Sequence, residues 1–332
     1  MIYLDNGATT LHKPPQVGRS MLRAMQRCAN PGRGGYESAM EASRTVYACR
    51  EAASALFGCE PEQVVFASNC THGLNIAISS LIKPGSRTVV SGFEHNAVMR
   101  PLYALKADIR IAGRKLFDWE NTLTEFEREL KNADVAVFTY VSNVFGYILP
   151  VQEMAKLCRD RGVPFVIDAA QAAGSLPVSL SGLGADFIAM PGHKGLLGPQ
   201  GTGLLLCGQP GKPLLYGGTG GASREKSMPE DLPERLEAGT VNIPGLAGLA
   251  EGLRYIKKAG TEQILKREQA QAQRCAQALE RMGMKVFHGP NQAGTVSFVP
   301  GMDCEEAAAL LAKRDIATRA GLHCAPTAHE SA

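Results

Sequence analysis

From about residue 36 onward, short runs rich in Val, Ile and Phe alternate with helical stretches, and this alternation restricts the possible folds more than any other feature. Glu37 to Phe57 carries amphipathic helical periodicity and meets Gly58, a helix-stopping residue. Strands are expected at Gln63–Ala67, Arg87–Ser91, Val135–Thr139, Pro164–Asp168, Asp186–Met190 and Gly203–Cys207. Helices lie between several of them, as at Asn75–Leu81 and Val151–Arg161. Short apolar strands separated by helices predict an α/β fold with a mostly parallel sheet covered on both faces. After Pro244 the texture changes. Helical stretches at Gly245–Lys258 and Glu262–Met282 precede strands near Lys285–His288 and Gly294–Val299, and a helix at Cys304–Arg314 follows. We therefore expect a large domain over residues 16–254, a smaller α+β domain over 255–332, and an N-terminal segment, 1–15, joining them.

The bulk properties remove several classes of function. Net charge is +3, and the Lys and Arg residues are scattered rather than gathered into a block, so neither nucleic acid nor an anionic membrane is expected as a partner. No apolar run approaches the length of a membrane span, and the start, Met-Ile-Tyr-Leu-Asp-Asn, lacks the pattern of a signal peptide. The nine cysteines are odd in number and include no Cys-x-x-Cys pair. That argues against a disulfide framework or a metal site and for a cytoplasmic location. No Gly-x-Gly-x-x-Gly opens a helix after the first strand, which disfavours a dinucleotide-binding protein.

In open α/β sheets ligands bind beyond the carboxyl ends of the strands, so chemistry is expected there. One strand ends in Asp168-Ala-Ala-Gln171, and the next leads into Pro191-Gly-His193-Lys194-Gly. A lone Asp there often caps the following segment, and a lone loop lysine is usually a solvated charge. Together they suit pyridoxal 5′-phosphate (PLP), which needs a partly desolvated lysine to form a Schiff base and a carboxylate on its pyridine nitrogen. A third end, Phe66-Ala-Ser-Asn-Cys70-Thr71-His72, turns into a helix whose free amides could bind a phosphate. A fourth, Ser91-Gly-Phe-Glu94-His95-Asn96, offers an imidazole.

These residues and others occur in the order found in a known family. Ile2-Tyr-Leu-Asp-Asn6-Gly-Ala-Thr-Thr, Glu94-His95, Ser142-Asn143, Asp168-Ala-Ala-Gln171, Gly192-His193-Lys194, Glu237-Ala-Gly-Thr240 and Arg319-Ala-Gly-Leu-His-Cys324-Ala-Pro resemble the cysteine desulfurases and selenocysteine lyases, within the class V aminotransferases. The Cys324 segment is similar to that of the group II, SufS-like, desulfurases. The resemblance spans essentially the whole chain and implies a fold-type I PLP enzyme. It implies that Lys194 holds the cofactor, Asp168 pairs with the ring nitrogen, and Gln171 bonds the ring hydroxyl. It places His95 on the ring face, Asn143 against the ring, and Cys70, Thr71 and His193 at the phosphate. Thr240 would serve the phosphate site of a neighbouring subunit, which implies a homodimer. Pro191 stands where the family usually has a hydroxyl ligand for the phosphate, and Cys70 where many relatives have Thr.

The implied reaction converts L-cysteine to L-alanine, with Cys324 as the nucleophile that takes the sulfur as a persulfide and passes it to a thiol or acceptor protein. Lys194 would move the α-proton, and Arg319 with Asn143 would bind the substrate, Arg319 by a bidentate contact to its carboxylate. Composition alone would make Cys324 one more buried thiol. Selenocysteine lyase, a class V aminotransferase without a catalytic thiol, and a catalytically weak PLP-binding protein are the alternatives. In the family a further strand and helix, carrying a carboxylate-binding arginine, follow the position of Ala332. From that difference we expect weaker substrate binding and an exposed sheet edge.

Overall fold

The computed structural model describes residues 1–32, 34–221 and 224–332. It opens with β1 (Ile2–Tyr3), α1 (Pro15–Arg27) and α2 (Glu37–Phe57), the last ended by Gly58 in the left-handed region. The elements β2 (Val64–Ala67), α3 (Cys70–Leu81), β3 (Arg87–Ser91), α4 (Asn96–Ala104), β4 (Asp108–Ala112), α5 (Trp119–Leu130), β5 (Val135–Thr139) and α6 (Val151–Arg161) follow. Then come β6 (Phe165–Asp168), α7 (Leu180–Leu183), β7 (Phe187–Pro191) and β8 (Gly203–Cys207). The remainder comprises α8 (Ile243–Ala259), α9 (Thr261–Arg281), β9 (Lys285–Phe287), β10 (Ser297–Val299), α10 (Cys304–Ala312), β11 (Ile316–Ala317) and α11 (Pro326–Glu330).

Seven strands form one sheet in the order β2-β8-β7-β6-β5-β3-β4. All neighbours are parallel except β8, which runs antiparallel to both β2 and β7. Successive side chains of a strand face opposite sides, so a sheet buried on both faces needs apolar residues throughout. The central strands meet that requirement. Phe138, Phe165, Ile167, Ile188 and Met190 enter one apolar cluster, while Val135, Val137, Val166, Phe187 and Ala189 enter the other. Each such burial contributes roughly 1.5–3 kcal/mol for the larger side chains.

The reversal at β8 decides where the site can form. Two antiparallel pairings in succession restore direction, so β2 points the same way as β7. The N-terminus of α3 therefore opens on the same sheet edge as the ends of β3, β5, β6 and β7.

Outside this sheet, β9 and β10 pair antiparallel, and β1 pairs parallel with β11. The chain's beginning is thus laced to a segment near its end. Position 254, the expected end of the large domain, falls inside α8, whose buried face packs on α1 and α2. Among the described residues, no helix is long and apolar enough to cross a membrane.

Candidate active site

Asp168 closes β6 and is 2% exposed. Its Oδ1 accepts the amide of Ala170 at 2.9 Å and the thiol of Cys70 at 3.4 Å. Burial, then the charge of Asp168, push the Cys70 thiol well above its ordinary range, so it remains a donor. The other carboxylate oxygen, Oδ2, has no hydrogen-bond partner among the described residues.

Lys194 lies just past the neighbouring strand, β7. Burial pushes its ammonium below the usual lysine range, and the Asp168 carboxylate pulls it back up. The loop around it is strapped from the N-terminal segment. Thr10 Oγ1 donates to the Lys194 carbonyl at 2.8 Å, and the Thr10 amide to the His193 carbonyl at 3.0 Å. Thr9 Oγ1 lies 3.0 Å from His193 Nδ1, which leaves Nε2 as that ring's available nitrogen. The loop also presses against the turn after β6. A Cβ on Gly195 would collide with the Ala173 carbonyl oxygen, so only glycine allows this approach. Gln171 donates to the Gly7 carbonyl at 2.9 Å, a further tie to the same strap.

His95 is the N-cap of α4, its Nδ1 accepting the Ala97 amide at 3.0 Å. In the neutral ring the proton then resides on Nε2. Burial favours that neutral form; Asp168 opposes it, and Lys194 and Arg100 reinforce it. The preceding residue, Glu94, is fully buried. Its Oε1 accepts the Thr139 amide at 2.8 Å and the Ser91 hydroxyl, bracing the ends of β5 and β3, while Oε2 is buried with no hydrogen-bond partner among the described residues. Desolvation pushes this carboxyl up to about 8 despite those hydrogen bonds. Burial thus favours the neutral form of this brace.

At α3, the Asn69 side chain caps the helix by accepting the His72 amide at 2.9 Å. The amides of Cys70 and Thr71 donate to no group among the described residues. A helix N-terminus with unused amides is an anion site.

Cys324 arrives from the far end of the sequence and is exposed. His323 and Cys324 are consecutive residues in the left-handed region, at φ 51° and 55°. Such a conformation costs roughly 1–2 kcal/mol per non-glycine residue and must be held by its surroundings. Two carbonyl contacts hold it: the Asn96 amide donates to the Cys324 carbonyl at 2.7 Å, and Asn143 Nδ2 donates to the His323 carbonyl at 2.8 Å. Ala325 and Ala328, fully buried, pin the following turn. Cys324 and His95 thus line one cleft of about 380 Å³, together with Thr71.

Two residues expected to meet the substrate have partners within the chain. Arg319 is paired with Asp5. Its Nε and Nη2 donate to the two carboxylate oxygens of Asp5 at 2.9 and 2.7 Å, and this pair locks the β1–β11 junction. Asn143 spends its amide group on the Cys324 loop, which makes it a loop anchor in this arrangement. Thr240 is exposed and remote in sequence from these elements; the preceding Glu237 is bound to Arg50 at 2.5 Å and to the Phe66 amide at 2.5 Å. Sequence reasoning missed the structural parts of Asp5, Thr9, Thr10 and Glu94. All four stand inside the quoted motifs, so the signal was present without a role attached to it.

The donor set fits a planar aldehyde that carries a phosphate. A desolvated amine, a carboxylate with an unengaged oxygen, a neutral imidazole and a helix N-terminus with unused amides surround one sheet edge. Comparison with known proteins agrees. The family described as Aminotransferase class-V matches residues 2–332. A probable cysteine desulfurase of Pyrococcus abyssi is 32% identical over 98% of this chain and 85% of its own length. The apo structure of a cysteine desulfurase from Thermococcus onnurineus superimposes with a TM-score of 0.91 at 33% identity, covering 99% of this chain and 86% of that one. The cysteine desulfurase CsdA (S-sulfonic acid) from Escherichia coli gives 0.86 at 25% identity, covering 99% and 86%. The chain belongs to the class-V aminotransferases, in their cysteine desulfurase family.

Proposed function

We propose that this protein is a PLP-dependent cysteine desulfurase that converts L-cysteine to L-alanine and takes the sulfur onto Cys324. The observation that carries the reading is the placement of an exposed thiol, on a strained and doubly anchored loop, in one cleft with His95 at the edge that bears Lys194 and Asp168. An aminotransferase needs no such thiol.

Lys194 would hold the cofactor, Asp168 Oδ2 would face its ring nitrogen, His95 its ring face, and the amides of Cys70 and Thr71 its phosphate, with Gln171 and His193 alongside. PLP, when bound, supplies an electron sink for the substrate's α-carbon. Burial favours the neutral amine of Lys194, which can take the α-proton and return it. Nε2 of His95 carries a proton beside the cleft and can donate it. The deprotonated Sγ of Cys324 attacks the substrate sulfur. An S–S bond forms as the Cβ–S bond breaks, the electron pair stays with the carbon framework, and protonation there yields alanine. Reduction or acceptance of the persulfide by an external thiol resets Cys324.

We read Thr240 as the residue lent to a second copy of the chain. Support comes from the adjoining surface. The Gly239 amide binds the Gly218 carbonyl at 2.8 Å, tying the Thr240 loop to an apolar run in which Leu215 is 55% and Tyr216 78% exposed. An exposed apolar run of that kind suits an interface between copies. The reducing cytoplasm and an acceptor thiol or protein complete the reading.

Purified protein supplied with PLP and L-cysteine should release alanine and, with a reducing thiol, sulfide in equal amounts. Alanine made only by transamination of pyruvate, with none from cysteine, would replace this reading by an aminotransferase. For the shared site, chains carrying Lys194→Ala and Thr240→Ala should regain activity when mixed, because one site of each heterodimer is intact. A protein that sediments as a monomer at full activity would remove the second copy from the mechanism.

A further inference from the structure

The cleft at Cys324 holds a cation that the site described above does not use. Helix α4 lines the cleft with Ala97, Pro101 and Ala104, an apolar wall, and on the same face it carries Arg100. Arg100 is exposed, and among the described residues its guanidinium takes part in no hydrogen bond or ion pair. The neighbouring cations differ. Arg319 is committed to Asp5, and Lys194 is half-buried beside Asp168.

The geometry of a helix relates Arg100 to the thiol. Asn96, whose amide binds the Cys324 carbonyl, lies one turn before Arg100, about 6 Å along the axis. Helical side chains lean toward the N-terminus and cover the preceding turn. Arg100 therefore lines the cleft one turn beyond the residue on which the Cys324 loop is docked. Its field reaches His95, whose imidazole it helps to keep neutral. An apolar wall between a thiol and an unpaired guanidinium matches a small molecule with sulfur at one end and a carboxylate at the other.

We infer that Arg100 is the carboxylate-binding residue of the Cys324 cleft and that it orients a small anionic thiol against Cys324. This rests on the desulfurase reading for its biological ligand, either the donor L-cysteine or a carboxylate-bearing thiol that accepts the sulfur. The binding chemistry itself does not depend on turnover.

Alkylation of Cys324 in the holoenzyme, without cysteine, tests it directly. Iodoacetate and iodoacetamide have nearly the same shape and differ in charge, and peptide mapping isolates Cys324 from the exposed Cys275 and Cys304. Arg100→Gln should lower the iodoacetate-to-iodoacetamide rate ratio by about tenfold, the size of one charge-assisted contact, and leave the iodoacetamide rate unchanged. Arg100→Lys should retain part of the ratio, and Arg319→Gln all of it. A ratio that is equal in wild type and Arg100→Gln, or one that collapses only in Arg319→Gln, overturns the assignment. Because no turnover is needed, this result is independent of whether the wild type desulfurates cysteine. Kinetics then identify the source. With neutral dithiothreitol as acceptor, a rise of about tenfold in the KM for L-cysteine in Arg100→Gln marks the donor carboxylate. An unchanged KM for cysteine, with loss of preference for 3-mercaptopropionate over 2-mercaptoethanol, marks the acceptor. If neither constant moves, Arg100 binds no thiol of either kind.

Discussion

Replacing Cys324 with alanine is expected to leave the cofactor in place and to stop desulfuration. The thiol lines the cleft and, among the described residues, contributes to no contact that holds Lys194, Asp168 or α3. Its loop is anchored through the carbonyls of residues 323 and 324, which alanine retains. Absorbance of bound PLP should therefore match wild type, and L-cysteine should still perturb it. Alanine release from cysteine should fall on the order of a hundredfold or more, because among the described residues the cleft is lined by no second thiol. Mass spectrometry after exposure to cysteine should find a persulfide on Cys324 in wild type only. Alanine produced at the wild-type rate by Cys324→Ala would show that sulfur leaves by another route.

The second large effect concerns Lys194. Lys194→Ala removes both the covalent tether and the base, so turnover should fall on the order of a thousandfold or more. Borohydride reduction of wild type should fix the cofactor on the Lys194 peptide, and the variant should retain none after the same treatment. The substitution also removes the amine that interacts electrostatically with Asp168 and Cys70. The apoprotein should nonetheless fold, since the loop is held by the carbonyls of residues 193 and 194 and by the close packing of Gly195 on Ala173. Label recovered on another lysine would move the chemistry away from this strand end.

Much of the sheet was legible because its strands are buried on both sides. Continuous apolar runs such as Val135–Thr139 and Gly203–Cys207 predict the strands to their observed ends. Edge strand β4 was not legible, because Asp108-Ile-Arg-Ile-Ala alternates with charge, as a partly solvated edge allows. The amphipathic α1, and the helices α4 and α5, also went unpredicted. Helix α3 starts at Cys70 rather than near Asn75, since Ser68-Asn69-Cys70-Thr71 has a loop's composition and only the Asn69 cap shows it to be a helix start.

The chemistry divides in the same way. Residue types at strand ends determine a reactive set by themselves: a lysine, a carboxylate, an imidazole and a helix start are local features of short segments, and strand ends in a parallel sheet share one edge. Partner choice is not local. That Arg319 engages Asp5, that Cys70 donates to Asp168, and that Cys324 docks on Asn96 are contacts between segments far apart in the chain. Periodicity carries no information about such distances. They follow from strand order, from the double reversal at β8, and from the pairing of β1 with β11, which only the packed chain decides.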